Sequence, residues 1–240
     1  MIIVHKYGGS SVATTDKIIE IAKYLGEVKD QGHDVIVVVS AMGKRTDALI
    51  SLAKEITKDP DKRELDRLMS TGEQTTIALL AIALKSLGYD AISLTGVQAG
   101  IKTSGFHTKN VIDSVDNNKI NDLLKEGKIV IVAGFQGVNS RGDVTTLGRG
   151  GSDTSAVALA AALDARCEIY TDVDGIYSID PRVYKEAKKL PLISYDEMME
   201  LAYLGAGVME PRAVELGKKY GVEIYVGKSL GEKNGTIICA

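Results

Sequence analysis

Residues 145–177 read TTLGRGGSDTSAVALAAALDARCEIYTDVDGIY, and they contain the signals of a turn, a helix and a strand in succession. Three glycines surround Arg149. Ser152 and Asp153 come directly after the glycines, and an alanine-rich apolar segment follows. A glycine-rich turn that opens a helix presents backbone N–H groups and the positive end of the helix to an anion. The strand that follows ends in acidic residues and Gly175. The stretch therefore predicts an α/β fold with a site for a negatively charged small molecule.

The same alternation of short apolar runs and longer helical patterns extends along the rest of the chain. Strands are predicted at residues 2–7, 35–41, 91–95, 129–135, 167–173 and 222–226, and helices at residues 16–29, 47–57, 63–87, 118–126, 153–163, 195–204 and 211–220. Several strands are apolar at consecutive positions, which is typical of strands covered on both faces of a mainly parallel sheet. We expect a three-layer αβα sandwich, with hairpins at residues 103–115 and 138–144.

Length and composition limit the class of protein. The 240 residues are 45% hydrophobic, which fits one domain, and any division into two lobes falls near residues 137–143. The net charge of −3 does not favour a nucleic-acid partner, and Cys167 and Cys239 are too few for a disulfide framework. The N-terminus MIIVHKYGG is no signal peptide, and the apolar run at 77–84 is too short to cross a membrane. We expect a soluble cytoplasmic protein.

The first candidate motif is KYGGSS at residues 6–11, where the first strand leads into the first helix. In open α/β sheets, ligands bind beyond the carboxyl ends of the strands. Gly8 and Gly9 permit close approach to a phosphate and Lys6 supplies a positive charge, although a tight turn with a solvated lysine explains the motif equally well. Neither the P-loop nor the dinucleotide-binding spacing occurs. Two glycine-rich helix starts that face each other would suit phosphoryl transfer.

Two acidic side chains allow both a structural and a functional interpretation, and one basic side chain is harder to explain structurally. The sequence STGE at 70–73 has the pattern of a capping box, which explains Glu73 more simply than binding of a substrate ammonium group does. Arg149 is a natural bidentate clamp for a carboxylate. Asp153 either complements its own helix dipole or forms an ion pair with Lys6.

The acidic loop after residue 171 is the remaining candidate. Asp172, Tyr177 and Arg182 lie close enough in sequence to line a nucleotide pocket, yet each also fits ordinary turn chemistry. No metal site is predicted, because the histidines at 5, 33 and 107 lack metal-ligand spacing and are interpreted as structural or surface residues.

Together these residues resemble the catalytic domain of the aspartate kinases, in the amino acid kinase family. The matching segments are KYGGSSVA at 6–13, VVVSAM at 37–42, STGEQ at 70–74, GFQGV at 134–138, TTLGRGGSDTSA at 145–156, YTDVDGIY at 170–177 and DPRV at 180–183. They occur in the order found in the family and cover essentially the whole chain. The resemblance implies the amino acid kinase fold, with a substrate-binding lobe at approximately 1–140 and an ATP-binding lobe at 141–240.

The resemblance also implies the reaction and the residues that carry it. ATP, accompanied by Mg²⁺ held mainly by its phosphates, would phosphorylate the side-chain carboxylate of L-aspartate, the committed step toward lysine, threonine and methionine. Lys6, Gly8 and Gly9 would hold the phosphates, and Asp153 would orient Lys6. The implied substrate residues are Ser10, Ser40, Thr46, Glu73, Arg149 and Ser152, and the implied ATP residues are Lys6, Gly8, Gly9, Thr171, Asp172, Tyr177, Arg182 and Gly207. Homodimers are common in the family, and a separate regulatory partner stays open.

Two departures from the family pattern leave alternatives open. In the segment LGAGVMEP at 204–211, Gly207 stands where the resemblance expects a nucleotide-contacting lysine, and Glu210 stands where it expects a histidine. The chain also stops about where paired ACT regulatory domains begin in many members, so we expect none within it. The alternatives are a related kinase with another acceptor and a regulatory subunit that binds nucleotide or amino acid with little turnover.

Overall fold

The computed structural model describes residues 1–231 and 233–240, which fold as alternating strands and helices. The helices are α1 (Thr15–Asp30), α2 (Arg45–Ile56), α3 (Lys62–Ser86), α4 (Asn118–Lys125), α5 (Gly151–Ala162), α6 (Tyr195–Tyr203) and α7 (Pro211–Tyr220). The strands are β1 (Ile2–Tyr7), β2 (Asp34–Val39), β3 (Ala91–Leu94), β4 (Ile101–Phe106), β5 (Lys109–Val115), β6 (Ile129–Ala133), β7 (Gln136–Val138), β8 (Val144–Thr146), β9 (Arg166–Thr171), β10 (Ile176–Tyr177), β11 (Lys189–Leu190), β12 (Leu192–Ser194), β13 (Ile224–Lys228) and β14 (Thr236–Cys239). Every helix and strand predicted from the sequence is present within two residues of its predicted ends.

An eight-stranded sheet forms the middle layer, in the order β12-β14-β13-β9-β1-β2-β6-β3. All neighbouring strands are parallel except β13 and β14, so the prediction of a mainly parallel sheet is confirmed. Lys6 in β1 is paired with Val38 in β2 on one side and with Ile169 in β9 on the other. Because parallel strands end at the same edge of a sheet, the segments that follow β1, β2 and β9 lie close together.

Helices cover both faces of this sheet, which confirms the three-layer sandwich. Consecutive residues of β2 show the division: Val37 belongs to a core formed with α1 and α3, whereas Ile36 and Val38 belong to a core formed with α4, α5, α6 and α7. Cys167 lies in the second core, fully buried between β1 and β13. Strands enclosed in this way contribute apolar area on both faces, which explains their nearly uninterrupted apolar sequences.

A second, four-stranded sheet in the order β5-β4-β7-β8 packs against α3 and α5. It contains the two predicted hairpins, since β4 pairs antiparallel with β5 and β7 pairs antiparallel with β8. Strand β8 leads directly into the glycine-rich segment 148–151. Within the described ranges, no helix is both long enough and apolar enough to cross a membrane.

Candidate active site

A cavity of about 730 Å³ opens beyond the carboxyl ends of β1 and β2. Eight of the site residues predicted from the sequence line it, namely Lys6, Gly9, Ser40, Thr46, Glu73, Arg149, Ser152 and Asp153. They come from four separate parts of the chain: the turn after β1, the segment from β2 to α2, the middle of α3, and the start of α5. The fold therefore brings the two glycine-rich segments into one site, although only the second opens a helix directly, since α1 begins at Thr15.

Lys6 and Asp153 form a nearly buried ion pair on the wall of this cavity. Their Nζ and Oδ1 atoms are 2.6 Å apart, and the two side chains are 10% and 11% exposed. Lys6 lies at the centre of the sheet, and Asp153 lies in the first turn of α5, which packs against β1. Because Asp153 already fixes the position of the Lys6 ammonium group, that group loses little conformational entropy when it binds an anion.

The start of α5 is shaped by glycine. Gly150, the N-cap residue, has φ 67°, and a Cβ there would lie 2.5 Å from side-chain atoms of Glu210. Only glycine adopts this conformation at low strain and fits the space. The preceding residue, Arg149, is exposed at the cavity and has no ion-pair partner among the described residues. Its guanidinium is therefore free to bind an anionic ligand next to a helix N-terminus.

In the turn after β1, the position of Gly9 is packed too closely for any side chain. A Cβ on Gly9 would lie 2.9 Å from the carbonyl oxygens of both Ala41 and Gly43. The amide of Gly9 has no hydrogen-bond partner within the described ranges, whereas the amide of Gly8 donates to the Tyr170 carbonyl at 3.3 Å. The Gly9 amide is therefore free to donate to a phosphate. The Gly8 amide can do so only if it gives up its long hydrogen bond to Tyr170.

Glu73 is held inside the cavity wall, and the capping-box interpretation of STGE at 70–73 is wrong. Helix α3 begins eight residues before Ser70, capped by Asp61, which accepts from the Glu64 amide at 3.0 Å. Glu73 is 2% exposed, and its Oε1 accepts from the Ala41 amide at 3.2 Å while its Oε2 has no partner. Desolvation by burial raises the pKa of Glu73 to about 8. A buried carboxylate oxygen without a donor is an incomplete site that suits a cationic group.

The remaining predicted residues lie outside this cavity. Ser10 is exposed, and its carbonyl accepts from the Lys17 side chain. Thr171 and Asp172, at the end of β9, are bonded to each other; Tyr177 donates to Asp174, and Arg182 forms an exposed ion pair with Asp180. Nothing in these contacts assembles a nucleotide pocket, so the assignment of these residues to ATP stays a prediction.

The two departures from the family pattern occupy different surroundings. A Cβ on Gly207 would meet no atom within 4 Å, so there is room for the lysine that the resemblance expected. Glu210 is the N-cap residue of α7, and its side chain packs on Gly150 at the start of α5. It therefore adds a negative charge beside the anion-binding loop.

Sequence reasoning missed one whole side of the cavity. This side is lined by the apolar residues Ile50, Leu65 and Met69 and by the lysines Lys54, Lys58 and Lys62. The lysines recur every four residues, but α2 ends at Ile56, so a helical pattern did not reveal them as one surface.

The described parts of the chain contain no group of three or more His, Cys, Asp or Glu side chains placed to hold a metal ion.

Comparisons with known proteins agree with this arrangement. The sequence profile of the amino acid kinase family matches residues 1–228. An aspartokinase of Bacillus sp. (strain MGA3) is 57% identical over 238 residues, which are 99% of this chain. The crystal structure of aspartate kinase from Synechocystis superimposes with a TM-score of 0.89 at 48% identity, and covers 99% of this chain and 40% of that one.

A third comparison involves a structure with bound ligands. E. coli aspartokinase III, solved in complex with aspartate and ADP, superimposes with a TM-score of 0.88 at 28% identity, and the match covers 100% of this chain and 64% of that one. The chain spans 58% of the length of the Bacillus relative. It therefore corresponds to a part of these longer proteins.

Proposed function

The chain belongs to the amino acid kinase family, and from that premise we propose that it catalyses transfer of the ATP γ-phosphoryl group to the side-chain carboxylate of L-aspartate. The product is 4-phospho-L-aspartate, the first intermediate toward lysine, threonine and methionine. One observation carries the proposal: Glu73, a buried carboxylate with one unpaired oxygen, and Arg149, a free guanidinium, line the same cavity as the Lys6–Asp153 pair.

The Glu73 carboxylate and the Arg149 guanidinium suit the two charges of an α-amino acid. Glu73 Oε2 receives the ammonium group, and Arg149 binds the α-carboxylate as a bidentate clamp. The side chains of Ser40, Thr46 and Ser152 lie on the same cavity wall and supply neutral hydrogen bonds. The acceptor carboxylate of the substrate is then directed toward Lys6 and the turn after β1.

The chemical step needs charge neutralisation more than proton transfer. An aspartate carboxylate, with a pKa of about 3.9, is already ionised at neutral pH, so no general base is required. Its oxygen attacks the γ-phosphorus, the bond from that phosphorus to the β–γ bridging oxygen breaks, and ADP leaves with the electron pair. Lys6, oriented by Asp153, and the Gly9 amide stabilise the charge that develops on the transferring group.

The nucleotide side of the site rests on the family resemblance. Thr171, Asp172, Tyr177, Arg182 and Gly207 bind ATP in this proposal, and Mg²⁺ arrives with its phosphates as part of the substrate. The bound ADP of the E. coli relative supports nucleotide use by this fold. The cytoplasmic location, the homodimer and a separate regulatory partner stay predictions.

The test is ADP release by the purified chain with Mg-ATP and L-aspartate, L-glutamate, N-acetylglutamate or UMP in parallel. Hydroxylamine trapping reports an acyl phosphate. We expect turnover with L-aspartate and a trapped hydroxamate. Nucleotide binding without turnover on any acceptor would instead favour the regulatory-subunit alternative.

The size of the cavity favours one second candidate. Besides Glu73 and Arg149, its volume of about 730 Å³ is lined by Lys54, Lys58 and Lys62, which suits an acceptor longer and more anionic than aspartate. A kinase of this family acting on such an acceptor would keep the Lys6–Asp153 machinery. Turnover with L-glutamate, N-acetylglutamate or UMP but not with L-aspartate would select this candidate.

A further inference from the structure

A fully buried carboxylate lies beside the cavity without lining it. Asp66, in α3, is 0% exposed, and its two oxygens accept from the Thr108 amide at 3.0 and 3.1 Å. Its Oδ2 lies 2.6 Å from His107 Nδ1, and its Oδ1 accepts from the hydroxyl of Thr146. Four contacts satisfy this carboxylate, as a buried charge requires.

Asp66 is connected to the cavity wall through its own helix, through Thr108 and through Thr146. Asp66 lies two helical turns before Glu73 on the same side of α3, since residues seven apart share a helix face. Thr108 lines the cavity, and its carbonyl lies 3.2 Å from the position that a Cβ on Gly148 would occupy. Thr146 ends β8, two residues before Gly148 and three before Arg149. One side chain therefore joins the helix that carries Glu73 to the loop that carries Arg149.

The tip of the β4–β5 hairpin, at His107 and Thr108, depends on the Asp66 carboxylate. Thr108 has φ 71°, a conformation that is uncommon for a residue other than glycine. Such a conformation persists only where surrounding contacts impose it, and the amide of Thr108 is bonded to both oxygens of Asp66. Loss of the carboxylate would release Thr108, and with it the surface against which Gly148 packs.

We propose that Asp66 is a positioning residue for the acceptor site, which fixes the separation between Glu73 and Arg149 through its bonds to Thr108, His107 and Thr146. It touches neither substrate nor nucleotide. The inference rests on the proposed function for its kinetic consequence, but its structural content, a fixed segment 147–150, does not depend on turnover.

The test compares two mild variants with a matched control. Thr146→Val removes one hydroxyl donor to Asp66 at nearly constant volume, and His107→Gln removes the ring contact. Asp143→Asn removes the charge from the ion pair between Arg63 Nε and Asp143 Oδ1, 2.7 Å apart, which joins the same helix to the β7–β8 hairpin near the surface. The control therefore loosens the same pair of elements without disturbing the buried carboxylate.

Two readouts separate positioning from general stability. We expect Thr146→Val and His107→Gln to raise KM for L-aspartate about tenfold, which corresponds to about 1.4 kcal/mol, while KM for ATP and the melting temperature change as little as in Asp143→Asn. Amide hydrogen exchange at Leu147 and Gly151, whose amides donate to the Phe135 and Gly148 carbonyls, should become faster in these two variants and stay at the wild-type rate in the control. Asp66→Asn should show the same effects more strongly if it folds.

The outcomes distinguish failure of the two proposals. Unchanged KM and unchanged exchange in Thr146→Val and His107→Gln, with an active wild type, would overturn the positioning role, as would equal changes in the control. A wild-type protein that shows no turnover with L-aspartate would overturn the proposed function alone. In that case the exchange measurement still decides whether Asp66 fixes the loop.

Discussion

Replacing Glu73 by glutamine should make the empty protein more stable and its binding of L-aspartate weaker. The substitution keeps the shape of the side chain and its acceptor for the Ala41 amide, and removes only the charge. In the folded protein burial raises the pKa of Glu73 from 4.5 to about 8. The carboxylate is 2% exposed, so solvent screens it little.

The magnitude and sign follow from that pKa. Between pH 4.5 and 8 the unfolded chain has lost a proton that folded Glu73 retains, so the free energy of unfolding falls as pH rises through this window. At about 1.4 kcal/mol for each pKa unit, the loss is on the order of 5 kcal/mol above pH 8. Glu73→Gln should match the wild type near pH 4.5 and exceed its stability by this amount at pH 9.

Ligand binding should show the opposite effect. The ammonium group of L-aspartate pairs with ionised Glu73, so wild-type affinity should increase about tenfold per pH unit up to pH 8, because protonated Glu73 must first lose its proton. Loss of a hydrogen bond between charged groups costs about 1.5–3 kcal/mol, or roughly 10- to 150-fold in affinity. The glutamine variant should bind weakly and nearly independently of pH in this range.

Urea unfolding at pH 5, 7 and 9 and calorimetric titration with L-aspartate measure the two effects. Glu215→Gln is the matched control, since Glu215 is exposed on α7 and does not line the cavity. Superimposable stability curves for the wild type and Glu73→Gln would refute the argument from burial. Equal affinity for L-aspartate would refute the assignment of Glu73 to the ammonium group.

Four further substitutions test the rest of the site. Lys6→Met should lower kcat by about 10²–10³, measured as ADP release, while calorimetry still detects L-aspartate; full turnover would rule out the proposed mechanism. Gly9→Ala should inactivate the protein or lower its melting temperature because the new methyl group meets two carbonyl oxygens at 2.9 Å, whereas Gly207→Ala, with open space around it, should not. Arg182→Ala should raise KM for ATP and leave KM for L-aspartate unchanged; an unchanged KM for ATP would remove Arg182 from the nucleotide site.

The elements with strong periodicity could be predicted from the sequence, and the short ones could not. All seven helices and the six longer parallel strands were predicted, because each has enough residues to show a pattern. Strands β10, β11 and β12 have only two or three residues each. Strand β14 has four, and its antiparallel pairing with β13 depends on a tertiary contact that no local signal encodes.

Two occurrences of the same motif show why local signals fail at the site. Ser-x-x-Glu occurs at residues 194–197, where Ser194 and Glu197 form a capping box at the start of α6. It also occurs at residues 70–73, inside α3, where Ser70 donates to the Arg67 carbonyl and Glu73 reaches Ala41. At residues 70–73 the helix has already begun, after Pro60, so Ser70 and Glu73 are not needed to cap it. Glu73 lines the cavity instead.

Contacts between distant residues account for the rest of the site. The pairing of Lys6 with Asp153 was one of two open interpretations of the residues, and the family resemblance selected it. Asp66 gave no such signal, apart from sharing a helix face with Glu73. Its partners lie about 40 and 80 residues away in the chain, and only the folded hairpins bring them to it.

The placement of β1 between β2 and β9 has a consequence for synthesis on the ribosome. Strand β2 ends at Val39, but β9 begins only at Arg166, so a nascent chain waits on the order of ten seconds at ~5–20 residues per second before the second neighbour of β1 emerges. Throughout that interval one edge of β1 is open, beside a β2 that reads DVIVVV. Lys6 lacks Asp153 for most of this time, and its charge at the open edge disfavours pairing with other chains. A residue of the proposed catalytic site would then also protect the incomplete chain from aggregation.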